Sequence, residues 1–176
     1  MPAVPISQIA AGSLLTPARV NHAWWIANRP AALLRQATPQ TIASGGSFKP
    51  VLLDTEDEDV DPDGIGGHST TFDTSRYTAR YPGIYRVGGG VGFAVNATGS
   101  RGVAWLRNGI LVDGSDVMVP AVSSASTSSR VPARSMLIRL AEGDYIELGA
   151  FQNSGGDLAT TGSSAAPSVS IEWARL

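Results

Sequence analysis

Apolar and polar residues alternate with a two-residue period in Ile84-Tyr85-Arg86-Val87, in Met136-Leu137-Ile138-Arg139-Leu140 and in Tyr145-Ile146-Glu147-Leu148. That period marks a half-buried strand, because successive side chains leave a pleated backbone on opposite faces. Turn signals punctuate the runs at short intervals: Pro82-Gly83, Thr98-Gly99, Asn108-Gly109, Glu142-Gly143 and Ser154-Gly155-Gly156. The pattern predicts strands over 48–53, 76–81, 83–96, 101–107, 110–112, 131–141, 144–152 and 168–174. Short strands joined by tight turns at this spacing predict an all-β, two-sheet antiparallel sandwich of jelly-roll type.

The first 39 residues read differently and are expected to form an N-terminal attachment arm, leaving 40–176 as the β domain. Thr16-Pro17 is a helix start, with a capping hydroxyl followed by proline at the first helical position. The stretch from Ala18 to Asn28 has no internal Gly or Pro, and Pro30 ends it. A helix this short is marginal alone in water, so its apolar residues must bury against something. Val20, Trp24, Trp25 and Ile26 are the candidate docking residues. They pack either on the chain's own domain or on a partner, and two adjacent tryptophans that cannot both face one small core favour the partner.

Composition narrows the function classes. Charged residues are only 16% of the 176 and the net charge is −2, with arginines scattered rather than clustered, so there is no electrostatic case for nucleic acid. Few charges suit a subunit that hides surface in an oligomer. The absence of cysteine excludes disulfides and thiolate metal sites. No apolar stretch approaches membrane-spanning length, so no membrane insertion is expected, and Met1 to Ser13 lacks the build of a signal peptide. Assembly in a cytoplasm is the expectation.

Candidate chemistry is sparse. Asp59, Asp61, Asp63 and Gly64 match the opening of a calcium-binding loop, but Thr70 stands where the bidentate Glu belongs, so a solvated acidic turn between strands is the stronger expectation. His68, Asp73 and one of many serines would be a triad by type, yet no nucleophile elbow accompanies them. Glu142, Asp144 and Glu147 are glycosidase-like carboxylates by type alone. No catalytic residue and no cofactor is assigned, and the protein is not expected to be an enzyme. Tyr77, Tyr81, Tyr85, Phe93, Trp105, Tyr145, Phe151 and Trp173 fall on predicted strands and are expected to pack. Glycines 88, 89, 90 and 92 inside a strand imply a close approach of another backbone. The serine-rich run over 123–129 reads as an exposed loop.

The order Phe72, Tyr77-Thr78, Pro82-Gly83-Ile84-Tyr85-Arg86-Val87, Asn108-Gly109 and Leu140-Ala141-Glu142-Gly143-Asp144-Tyr145-Ile146-Glu147-Leu148 resembles the tumour-necrosis-factor and complement-type jelly roll. The chain is similar, nearer still, to small virion proteins of actinobacterial bacteriophages of the minor-tail or head-decoration type. The motifs are the arm Ala11-Gly12-Ser13-Leu14-Leu15-Thr16-Pro17-Ala18-Arg19-Val20-Asn21, Asp54-Thr55-Glu56, Asp61-Pro62-Asp63-Gly64 and Ser75-Arg76-Tyr77. Asn96-Ala97-Thr98-Gly99-Ser100-Arg101 and Phe151-Gln152-Asn153-Ser154-Gly155-Gly156 complete them. The resemblance implies a homotrimeric structural module on a virion surface, joined to capsid or tail proteins by its arm, for cementing or host attachment. The alternative is an adhesin that contacts host-surface glycans. The animal members close with Phe-x-Gly-x-Leu, whereas this chain ends Ile171-Glu172-Trp173-Ala174-Arg175-Leu176, so no receptor-binding or calcium residue is carried over.

Overall fold

Two antiparallel sheets meet face to face around one apolar layer in the computed structural model, which describes residues 16–122 and 128–176. The first sheet takes, in spatial order, β10 (Ser129–Leu140), β6 (Gly83–Phe93), β13 (Ser168–Arg175), β1 (Ala31–Arg35) and β4 (Thr55–Val60). The second runs β3 (Lys49–Pro50), β11 (Tyr145–Gln152), β7 (Ser100–Arg107) and β8 (Ile110–Leu111), with β5 (Arg76–Thr78) on β11 and β9 (Val117–Pro120) on β7. A small ladder of β2 (Thr41–Ile42) and β12 (Leu158–Ala159) closes one end. From β5 to β7 the chain crosses from the second sheet to the first and back, and again from β9 through β10 to β11. These crossings make the architecture a jelly roll rather than a stack of local hairpins.

The alternation in the sequence is the alternation in space. Tyr85, Val87, Ile138, Leu140, Ile146 and Leu148 face the interlayer, beside Trp105, Tyr77, Phe93 and Val103. Tyr77 and Tyr85 meet edge to face at 6.1 Å, and the buried Tyr85 hydroxyl donates to the Tyr81 carbonyl at 2.7 Å. Trp105, the largest core side chain, needs an acceptor for its indole N–H. A break in register between Ala133 and Met136 of β10 provides one, and Trp105 Nε1 donates to the Arg134 carbonyl at 2.7 Å. Asn108 and Gly109 both take positive φ, 52° and 76°, the hairpin turn their sequence predicts.

The glycine run is explained inside the domain. A methyl group at Gly89 would overlap the Ser168 carbonyl, one at Gly90 would lie 2.9 Å from the Val131 carbonyl, and one at Gly92 would overlap the Ala165 carbonyl. Strands β10 and β13 and the short 3-10 turn Ser163–Ala165 therefore press β6 from both sides.

Four expectations need correction. The arm does not reach residue 39: Ala31–Arg35 is a full strand between β13 and β4, its Ala32 and Leu34 in the core. The acidic run is a strand through Val60, not only a turn, because a sheet edge needs apolar residues on neither its free side nor its outer face. The strand expected over 48–53 shrinks to Lys49–Pro50. Tyr81 lies just outside β5, which ends at Thr78. Residues 123–127 of the serine-rich loop lie outside the described residues, and Ser129 already opens β10.

Candidate functional site

Helix α1 (Pro17–Ala27) starts at the proline that its sequence signals. Trp25 anchors it to the sandwich, meeting Tyr81 at 4.8 Å and Trp173 at 5.4 Å, both edge-on. Trp24 is 60% exposed, and its indole nitrogen donates to the Pro62 carbonyl at 3.2 Å. Val20 and Ile26 are also exposed. The candidate docking residues thus divide: Trp25 is turned to its own domain, and Val20, Trp24 and Ile26 to solvent.

The acidic loop beyond β4 is bound up internally. Asp59 accepts the Gly67 and His68 amides at 3.1 and 2.8 Å, and burial still pushes its carboxyl above the ordinary range. Asp61 accepts the Asp63 and Ile65 amides through Oδ1. Its Oδ2 lies 3.0 Å from Arg80 Nε, an ion contact rather than an aligned hydrogen bond. Asp63 pairs with the same guanidinium, and hydrogen bonding with Asp61, then with Arg80, lowers its carboxyl to about 2. Arg80 therefore supplies the positive charge against Asp61 and Asp63, while Asp59 turns back to main chain. Among the described residues, no three His, Asp or Glu side chains are grouped to hold a metal.

Glu142 lies exposed in its turn, and the remaining chemical candidates are spoken for. Both ring nitrogens of His68 face carbonyl oxygens, Nδ1 that of Arg76 at 2.7 Å and Nε2 that of Leu53 at 2.8 Å, so neither is turned to a serine. Asp73 pairs with Arg76 at 3.1 Å. Glu147 is buried and accepts from Ser75 and Arg76, the latter stacked over the Tyr145 ring. Asp144 accepts from Asn108, Arg107 and the Ala141 amide, all at 2.7 Å, and these bonds, Asn108 first, hold its carboxyl below the usual range. Each group braces a turn or a strand pair.

At the opposite end of the sandwich two of the recognised motifs meet. Arg101 is fully buried and donates to the carbonyls of Asn96, Thr98 and Ser100. Asn153 accepts the Ser100 amide, while buried Gln152 donates to the carbonyls of Ile42 and Gly156. The motifs share one job, closing that end around polar main chain.

What remains open is the outward face of the first sheet. A groove of about 430 Å³ runs along it beneath the C-terminal turn of α1, with Leu33, Val60 and Ile26 in its walls and Glu58, Arg86 and Glu172 at its rim. On the same face at the far edge, Leu137 of β10 stands 54% exposed. Apart from Ile26, sequence reasoning did not single out these residues as a surface. The signal was present in Met136-Leu137-Ile138-Arg139-Leu140, where a leucine takes an outward place in an otherwise regular alternation.

Solved structures share this architecture. The globular domain of zebrafish complement 1qA protein aligns with a TM-score of 0.54 at 14% identity, over 84% of this chain and all of that one. Murine APRIL aligns at 0.59 and 13%, over 82% of this chain and 98% of its own. Eiger TNF from S. frugiperda aligns at 0.54 and 12%, over 83% and 94%. The fold is the tumour-necrosis-factor and complement-type jelly roll. No protein-family model matches the chain, and no curated protein matches it either. In this jelly roll many of the polar groups singled out above are spent on turns and ends, and the helix and the open sheet face are the surfaces where a groove and exposed apolar side chains occur together.

Proposed function

We propose that the protein is a non-catalytic structural module of a bacteriophage virion, a homotrimeric jelly roll fixed to capsid or tail proteins by its N-terminal arm. It is displayed on the virion surface after assembly in the host cytoplasm. The carrying observation is α1, which is seated on the body by Trp25 yet presents Val20, Trp24 and Ile26 to solvent. A helix with a docked side and an exposed apolar side is a two-sided adaptor. The motif order of the sequence supports the virion setting. Sparse charge and an open apolar sheet face support association of identical copies, which in an obligate assembly would bury more than ~2,000 Å². The role uses no cofactor.

The arm to be tested ends near Asn28, because β1 belongs to the sandwich. Val20→Asp combined with Trp24→Ala is expected to leave a soluble trimer that no longer joins particles in an assembly assay. Full incorporation of that variant would overturn the docking role. Glycan-array binding by the same variant would instead move the reading to a host-glycan adhesin.

A further inference from the structure

The two edges of the first sheet carry charges of opposite sign; Asp57, Asp59 and Arg130 are engaged within the chain, and among the described residues the rest are not. At one edge, β4 carries Glu56 and Glu58, and at the other, β10 carries Arg134 and Arg139; all four are exposed. Among the described residues none of the four forms an ion pair. The edges are four strand spacings apart, about 19 Å at ordinary sheet geometry, which no side-chain pair can span. These charges cannot neutralise each other inside one subunit, but they can between two.

Shape follows the same polarity. On the basic edge the outward residues of β10 include Leu137 and Arg139, paired in register with Arg86 and Ile84 of β6. On the acidic side Leu33 of β1 lies opposite Glu58 of β4, and both line the groove. One edge thus offers an exposed leucine flanked by cations, and the other a partly apolar trough in which Arg29 and Arg86 pair with Glu172 and the Glu58 carboxylate is left without an ion partner among the described residues. We infer that the occupant of the groove is a second copy of this chain: Leu137 of one subunit enters between Leu33 and Val60 of the next, and Arg139 meets Glu58. Made reciprocally between two copies this pairing would give a two-fold dimer; on the trimer reading it is made head-to-tail and closes by rotation into a ring. This rests on the trimer reading and deepens it by naming the surfaces. Charge matching at a partly apolar contact fixes register and rejects wrong pairings, since like charges brought together there are strongly unfavourable.

The test is sedimentation of the full chain across a concentration series, with Glu58→Arg, Arg139→Glu, the two combined, and Leu137→Asp. Circular dichroism checks that each variant stays folded. Each single reversal is expected to raise the trimer dissociation constant by at least about tenfold, and the combined swap to return it to within about threefold of wild type. Leu137→Asp is expected to give monomer throughout, and raising NaCl to weaken the wild type, because the charges sit at a surface rim. If the wild type is trimeric and these variants leave its constant unmoved, this face is not the contact and the trimer reading survives without it. Single variants that weaken association without rescue by the swap overturn the Glu58–Arg139 pairing. A monomeric wild type at tens of micromolar overturns both, and a two-copy particle overturns the ring.

Discussion

The two sheets cover their outward faces by different means and to different extents. On the second sheet, Ala104 and Leu106 of β7 are buried although they stand outside the interlayer core, because the chain covers them itself. Phe48, tilted against Phe151 at 5.8 Å, lies over Gly149 of β11, where a methyl group would sit 2.9 Å from the Phe48 Cβ. A methyl group at Gly102 would run into Met118, and Ser75 and Arg76 lid Glu147. That cover is partial, since Leu111 of β8 and Met118 of β9 stay 43% and 46% exposed; on the first sheet Leu33 is 46% exposed and Leu137 54%, and Glu58 and Arg139 face solvent. A face finished by its own chain is a stability element. A face left unfinished, with apolar side chains and unmatched charge, is a place for a partner.

The sharpest way to break this contrast is to load the finished face. Gly149→Val, which pushes against Phe48 and through it on neighbouring side chains, is expected to lower unfolding stability by about 2–3 kcal/mol, measured by urea denaturation of dilute protein. A loss below half a kcal/mol would mean that Phe48 is not seated there. The open face should answer differently. Leu33→Ser is expected to change the stability of the dissociated subunit by less than about 0.5 kcal/mol while weakening association in sedimentation. A large loss of subunit stability would mean that the face is already part of a core.

The smallest effect is electrostatic. Asp144, at the β7–β11 end of the finished sheet, and Asp63, beyond the acidic edge of the open one, both have folded-state values below their ordinary range. Their contribution is therefore present above the unfolded value, near 4, and is lost as pH falls through the folded values. Asp59, raised by burial, has the opposite sign and offsets part of this. The midpoint of thermal unfolding is expected to fall between pH 5 and pH 2, and Asp144→Asn to flatten that fall. An unchanged slope in the variant would place the acid sensitivity elsewhere.

Long strands with two-residue alternation were legible from residue types, and so were the Asn108-Gly109 hairpin and the start of α1 at Pro17. Each rests on local chemistry: side-chain period, a positive-φ turn, a proline with no donor to lose. β4 was not legible as a strand, because Glu56, Asp57 and Glu58 satisfy an edge strand without any apolar signal of their own. β1 was missed for a related reason: Ala31-Ala32-Leu33-Leu34-Arg35 becomes a strand by gaining β13 and β4 as partners, one from the far end of the chain. The helix tryptophans were recognised as docking residues, but their division into one turned inward and one outward depends on where Tyr81 and Trp173 lie.

Residue order alone determined the sheet class, the turns and the short helix, since all of these follow from neighbours along the backbone. Only the tertiary structure decided that Phe48 packs over one outer face while a groove stays open on the other beneath the end of α1, and that Arg80 takes up Asp61 and Asp63. It alone also set Glu58 and Arg139 on opposite rims of one sheet. Those outcomes depend on which distant segments are brought side by side, and a side chain's local pattern carries no information about the strand that will come to lie across from it.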